Sequence, residues 1–118
     1  MKYRISKTFT FAAAHQLTQL PAGHKCARMH GHNYTVTAVL ESDDLDPNGF
    51  VQDYGDLADV KTFIDTTLDH QNLSGIFTWP VTAEHLAAYL YKVFVQEHPL
   101  LTEVVVAETA NSTASYRP

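Results

Sequence analysis

The stretch Cys26-Ala27-Arg28-Met29-His30-Gly31-His32-Asn33-Tyr34-Thr35-Val36-Thr37-Ala38-Val39-Leu40 begins as a polar loop and becomes a strand. From Asn33 onward it is β-branched and apolar, which predicts a strand from about His32 to Glu41. Residues two apart in a strand point to one face, so His30 and His32 present two imidazoles side by side. Gly31 between them lets the backbone approach closely or take an unusual dihedral. Two imidazoles are half of a metal site. They hold zinc poorly alone, so a third ligand must come from elsewhere.

His15 is the candidate. It ends a second strand-like segment, in which Tyr3, Ile5, Phe9 and Phe11 alternate with Arg4, Thr8 and Thr10, and Lys7 interrupts the inner series. If the two strands pair, His15 reaches His30 and His32. Three neutral imidazoles with no fourth protein ligand describe a catalytic zinc site with an open position. A structural site would fill that position, and Cys26 is then the obvious donor. Taken singly, a His-Gly-His triplet is also compatible with a solvated turn, and His15 with a packed or surface histidine.

Composition sets the outer bounds. The chain has 118 residues, enough for one core. Apolar residues are 45% and charged residues 18%, an ordinary soluble profile. A net charge of -5, with eight scattered basic residues, argues against sequence-independent nucleic-acid binding. No stretch has the length of a membrane helix, and the N-terminus reads as a strand rather than a signal peptide. One cysteine excludes an internal disulfide, and a cytoplasmic protein is expected. Seven histidines are many for this length, and they gather around Cys26.

Along the chain, a first strand is predicted over about Tyr3 to Phe11 and a polar loop through Pro21, Gly23 and Cys26. The run from Asp43 to Gly49 is dense in turn residues and closes an excursion into residues 50–54. Leu57, Val60, Ile64 and Leu68 recur at helical spacing, predicting a helix from Asp56 to Leu68 capped by Asp53 or Gly55. Residues 69–75 read as the loop that ends it. A second helix is predicted from Ala83 to Glu97, with Leu86, Leu90, Val93 and Phe94 inward and Thr82 as its cap; His98-Pro99 stops it. Strands follow at Glu103 to Thr109 and at about Thr113 to Arg117. The order β-β-α-α-β-β predicts an α+β fold, a four-stranded sheet with two helices on one face. Its bare edges predict pairing with further copies.

Phe9-Thr-Phe-Ala-Ala-Ala-His15, Cys26-Ala-Arg-Met-His30-Gly-His32-Asn33-Tyr34, Asp53-Tyr54-Gly55-Asp56-Leu57, Leu68-Asp69-His70-Gln71-Asn72-Leu73, Thr82-Ala-Glu84 and Glu108-Thr109 together resemble the 6-pyruvoyl-tetrahydropterin synthase family. The resemblance runs in order over nearly the whole chain. It implies a single domain, residues 1–118, of the tunnelling fold (T-fold), with an antiparallel four-stranded sheet. Trimers that close barrels and stack as homohexamers are implied too, with sites between subunits. The Cys-x-x-x-His-Gly-His spacing resembles the bacterial branch that makes 6-carboxy-5,6,7,8-tetrahydropterin, acetaldehyde and triphosphate from 7,8-dihydroneopterin triphosphate, on the route to queuosine. Alternatives within the resemblance are a pyruvoyl-forming enzyme and a non-catalytic pterin-binding relative.

The resemblance also implies roles. His15, His30 and His32 hold Zn2+, which acts on a side-chain oxygen of the pterin substrate as a Lewis acid. Cys26 is the general base. His70 is its acid–base partner, tuned by Asp69 and supplied by a neighbouring subunit. Glu108 shares a strand face with Val104 and Val106 and grips the pterin's amino-pyrimidine edge with two acceptors. Thr82 and Glu84 are implied substrate contacts, although helix capping accounts for both. His24 is a candidate contact for the triphosphate or the product carboxylate; His85 and His98 read as solvated. The chain departs from the family pattern at Tyr54, Val81 and His85.

Overall fold

The computed structural model describes residues 2–118. In chain order it contains β1 (Tyr3–His15), β2 (His30–Ser42), α1 (Ala58–Phe63), β3 (Gln71–Asn72), α2 (Leu73–Ile76), α3 (Ala83–Phe94), β4 (Leu101–Thr109) and β5 (Ser112–Tyr116). A 3-10 turn, Tyr54–Leu57, leads into α1, and a π turn, Ile64–Leu68, continues it. The strands lie in the order β3-β1-β2-β4-β5.

β1 and β2 pair antiparallel along their whole length, from Tyr3↔Ser42 to His15↔His30. β1 therefore runs four residues past the predicted end at Phe11. Ala12, Ala13 and Ala14 have little strand propensity of their own, but the ladder to β2 carries them. The inward series Phe9, Phe11, Ala13 and His15 is buried without a break. On β2 the matching series is Tyr34, Val36, Ala38 and Leu40, each 0% exposed. β4 adds Val104 and Val106.

The helices cover this face. Leu57, Val60, Ile64 and Leu68 pack on the sheet, as their spacing predicts, and so do Leu86, Leu90 and Phe94 of α3. Burying each such side chain stabilises the fold by roughly 1.5–3 kcal/mol. Thr82 caps α3, its hydroxyl accepting the amide of His85 at 3.2 Å, and Asp53 caps the 3-10 turn at Gly55 with 2.8 Å. The opposite face is polar: Thr8 and Thr37 hydrogen bond across strands at 3.0 Å, and Arg117 meets Glu41 at 2.7 Å.

The structure adds elements to the predicted β-β-α-α-β-β order. Residues 69–75 are not all loop: β3 pairs in parallel with β1 at Ala13 and Ala14, and α2 follows, capped by Asn72 at the amide of Ser74. The sheet thus has five strands rather than four, with one short parallel pair in an otherwise antiparallel ladder. α3 ends at Phe94 rather than Glu97. His98 is not solvated. It is 4% exposed, with Nε2 at 2.8 Å from Asp59 Oδ1 and Nδ1 at 3.1 Å from the Gln52 side-chain amide, so it pins the 43–53 excursion and α1 to the end of α3.

Candidate metal and catalytic site

The metal candidates converge because of strand register. His15 and His30 are cross-strand partners, and His32 follows on the same face of β2, opposite Ala13. One ligand atom from each of the three lies within 4.8 Å of the others. His15 is buried, while His30 and His32 are half-buried at the mouth. This is the only such donor group among the described residues, and Cys26 is not part of it.

Backbone carbonyls orient two of the rings. His15 Nδ1 lies 2.7 Å from the carbonyl oxygen of Val81, and His30 Nδ1 lies 2.7 Å from that of Arg28. A carbonyl only accepts, so both Nδ1 atoms carry the proton and donate it. Each Nε2 then offers a bare lone pair in the neutral ring. Those two Nε2 atoms face one another at 2.9 Å. Two lone pairs at that distance repel, and a cation between them removes the conflict. His32 Nε2 is buried without a hydrogen-bond partner. Burial pushes the His32 pKa down; Glu108 pulls it up, and His15 and His30 push it down again, so the neutral, ligating form is favoured. Tetrahedral zinc with bonds of about 2.0–2.1 Å needs nitrogens about 3.4 Å apart, a small adjustment for these side chains. The donor set fits such an ion.

Glu108 stands at the same mouth. Its Oε2 is 3.6 Å from His32 Nε2, an ion-pair distance too long for a hydrogen bond. Tyr34 lies beneath, stacked on Phe11 at 4.9 Å and edge-on to His15 and His32. Burial first, and the Glu108 charge second, raise the Tyr34 pKa far above its ordinary value, so its hydroxyl keeps its proton. Two open clefts of about 520 and 570 Å³ flank the Gly31–His32–Asn33 backbone, one reaching His70 and the other Glu108.

Asp69 and His70 arrive at the outer edge of β1. Asp69 Oδ1 accepts the amide of Ala12 at 2.9 Å, and the His70 amide donates to the Ala12 carbonyl. The second oxygen of Asp69 lies 2.9 Å from His70 Nδ1. The Ala12 amide, and then the His70 contacts, hold the Asp69 carboxyl below the usual carboxylate range. His70 adopts a left-handed backbone, φ 59°, and its side chain is 81% exposed. A carboxylate on one imidazole nitrogen fixes the tautomer and leaves Nε2 free for proton transfer.

Cys26 sits half-buried on a 3-10 turn, Lys25–Ala27. His24 Nδ1 accepts its amide at 3.1 Å, and its carbonyl accepts the Leu17 amide at 2.9 Å. Thr82 follows Val81, whose carbonyl holds His15, and caps α3, while Glu84 lies exposed in the first turn of that helix, without a contact to the histidine centre among the described residues. His85 Nδ1 lies 2.6 Å from the Pro80 carbonyl. The sequence names every acidic and imidazole group here but not what aims them. The carbonyls of Val81 and Arg28 and the amide of Ala12 are backbone atoms, which any residue would provide.

The chain's relatives fit this geometry. The family model of 6-pyruvoyl tetrahydropterin synthase matches residues 4–118. A 6-carboxy-5,6,7,8-tetrahydropterin synthase of Bacillus subtilis (strain 168) is 32% identical, over 98% of this chain and 86% of that protein. Another protein of that name, from Aquifex aeolicus (strain VF5), is 29% identical over 99% of both chains. Among solved structures, the Caenorhabditis elegans 6-pyruvoyl tetrahydropterin synthase superposes with a TM-score of 0.86 at 26% identity, covering 98% of this chain and 95% of that one. An uncharacterized protein from Wolinella succinogenes shares the fold, with a TM-score of 0.83, 21% identity and coverage of 98% and 97%. With a family match over almost its entire length, the chain belongs to the 6-pyruvoyl tetrahydropterin synthase family, as a pterin lyase.

Proposed function

We propose that this protein is a zinc-dependent 6-carboxytetrahydropterin synthase. It converts 7,8-dihydroneopterin triphosphate to 6-carboxy-5,6,7,8-tetrahydropterin, acetaldehyde and triphosphate, and acts in the cytoplasm on the route to queuosine. The observation that carries this reading is the convergence of three imidazoles, two of them with Nδ1 committed to carbonyls, in a chain whose relatives are named for this product.

His15, His30 and His32 would hold the ion through Nε2, and the rigid β1–β2 ladder sets their spacing. Bound there, zinc supplies Lewis-acid polarisation of a substrate oxygen and acidifies the neighbouring C–H or O–H. Cys26 takes the proton, the thiolate being the form of a cysteine side chain that accepts one. His70 passes protons at Nε2 while Asp69 holds Nδ1. Glu108 offers two acceptor oxygens to adjacent N–H groups of the amino-pyrimidine edge. Thr82 and Glu84 border the substrate.

Assembly belongs to the same proposal. His70 is exposed, and the outer edges of β5 and of β1 before Ala12 pair with no other strand among the described residues. Edge pairing of copies as trimers, stacked into hexamers, would give those edges partners and bring His70 to a neighbour's Cys26.

The test is product analysis. Zinc-loaded protein is incubated with 7,8-dihydroneopterin triphosphate, with acetaldehyde trapped in parallel. Carboxy-tetrahydropterin with acetaldehyde supports the proposal. A pyruvoyl product without acetaldehyde moves the chain to the other branch of its family, and no turnover points to a binding protein.

A further inference from the structure

Two buried side-chain polar atoms have no hydrogen-bond partner among the described residues, Nε2 of His32 and Oη of Tyr34. A bound ion accounts for the first. It does not account for the second, because three imidazoles already supply the protein donors. Tyr34 is 0% exposed. Burying a hydroxyl without a partner costs about 1–3 kcal/mol, and phenylalanine would fill the same space against Phe11 without that cost. The hydroxyl therefore calls for an acceptor close by.

Strand register supplies one. Thr35 pairs with Ala107 at the end of the β2–β4 ladder, and Tyr34 and Glu108 are the residues that follow that end on the two strands. Tyr34 points to the helix-covered face with Val36, and Glu108, at the bulge of β4, reaches the same face at His32 Nε2. Directly opposed residues have Cβ atoms about 4.5–5.5 Å apart, within reach for these two long side chains. His32 stands beside both: its ring lies 5.5 Å from that of Tyr34, and its Nε2 lies 3.6 Å from Glu108 Oε2.

Glu108 has its own need. Its nearby imidazole is His32, at 3.6 Å through Nε2. An imidazole nitrogen that gives its lone pair to a metal has no proton for a carboxylate. With Nε2 committed to the metal, the donor left beside Glu108 is the Tyr34 hydroxyl. We propose that Tyr34 is a positioning residue: when His32 ligates the metal, the Tyr34 hydroxyl donates to the Glu108 carboxylate and sets its orientation toward the pterin.

This rests on reading His32 as a ligand and Glu108 as the pterin anchor, and the experiment separates the two. Zinc has a filled d shell and no absorption of its own here, so titrating it into the whole protein reports on tyrosine in the near ultraviolet. A tyrosine that gains a carboxylate acceptor shifts its band to longer wavelength. The expected result is such a shift in the wild type, absent from Tyr34→Phe and from Glu108→Ala, with both variants still binding one zinc per chain. No shift in the wild type, or a shift that survives Glu108→Ala, overturns the proposal. So does loss of zinc from Tyr34→Phe, which would make the tyrosine a support for the ligands instead.

Affinity for neopterin is measured on the same samples. Tyr34→Phe is expected to weaken it about tenfold, the loss of one hydrogen bond to a charged group. If the zinc-dependent shift behaves as expected but both variants hold neopterin like the wild type, the Tyr34–Glu108 bond stands. What fails then is the role of Glu108 as the pterin anchor.

Discussion

Asp69 and His70 form a pair fastened to the sheet edge: one oxygen of Asp69 takes the Ala12 amide at 2.9 Å, and the other lies 2.9 Å from His70 Nδ1. The carboxylate thus reads the backbone of β1 and sets the imidazole tautomer at once. Asp69→Asn keeps an oxygen for Ala12 but can turn its NH2 toward His70, favouring the wrong tautomer. A fall in kcat of about 10²-fold or more is expected, with metal content unchanged. Steady-state kinetics beside metal analysis checks this.

The same contact gives a pH dependence. Asp69 has its carboxyl held below its ordinary 3.8 by the Ala12 amide first and His70 after it. A depressed pKa means that the folded state favours the ionised form. Its contribution is complete above about pH 4 and is lost as pH falls through the lowered folded value. Urea unfolding between about pH 6 and 3 should show a steeper acid loss in the wild type than in Asp69→Asn. Parallel curves would remove Asp69 from the acid response.

His30→Ala should abolish tight metal binding and activity together. The wild-type melting temperature should fall when a chelator strips the metal, and the variant should not respond. A ligand held at a hundredfold excess over its Kd stabilises by about 2.7 kcal/mol, which sets the scale of the shift. Full activity after metal removal would end the Lewis-acid role.

Cys26→Ala should keep both metal and assembly while turnover is lost. Cys26 lies on its own turn, apart from the three grouped donors. Metal analysis and size-exclusion chromatography separate a base from a ligand. Zinc leaving this variant would refute the assignment of Cys26 as base.

His98→Ala should destabilise the fold by about 1–3 kcal/mol without touching metal affinity, because it empties a buried site and removes the link between Asp59 and Gln52, neither of which belongs to the three-histidine group. Denaturant midpoints with a metal titration on the same samples test this. An unchanged midpoint would mean that the Asp59–His98–Gln52 bridge contributes nothing.

What could be read from the chain, and what could not, follows the range of the physics involved. The shared face of His30 and His32 follows from a period of two, and the caps at Asp53 and Thr82 follow from their neighbours. His15 was reachable by assuming that two strands pair, since one register brings it opposite His30. His98 was not legible, because His98-Pro99 reads as a helix stop and its partner Asp59 lies 39 positions away. β3 was hidden for a related reason. Two residues carry no periodicity, and their pairing depends on where α1 ends. Tyr34 is inward by pattern alone, but that its hydroxyl lacks a partner is visible only in three dimensions.

The π turn at Ile64–Leu68 bears on how this protein tolerates change. The Asp69 amide bonds to the carbonyl of Ile64, five positions back, so the helix holds one residue more than a regular α-helical turn would place there. Leu68 still reaches the core, and Asp69 still meets Ala12. The delivery of the acid–base pair is therefore governed by residue count and only weakly by the exposed side chains of Asp65 and Thr66. Point substitutions there are cheap, whereas a one-residue deletion in the same span would regularise the helix and carry Asp69 and His70 about 100° around its axis.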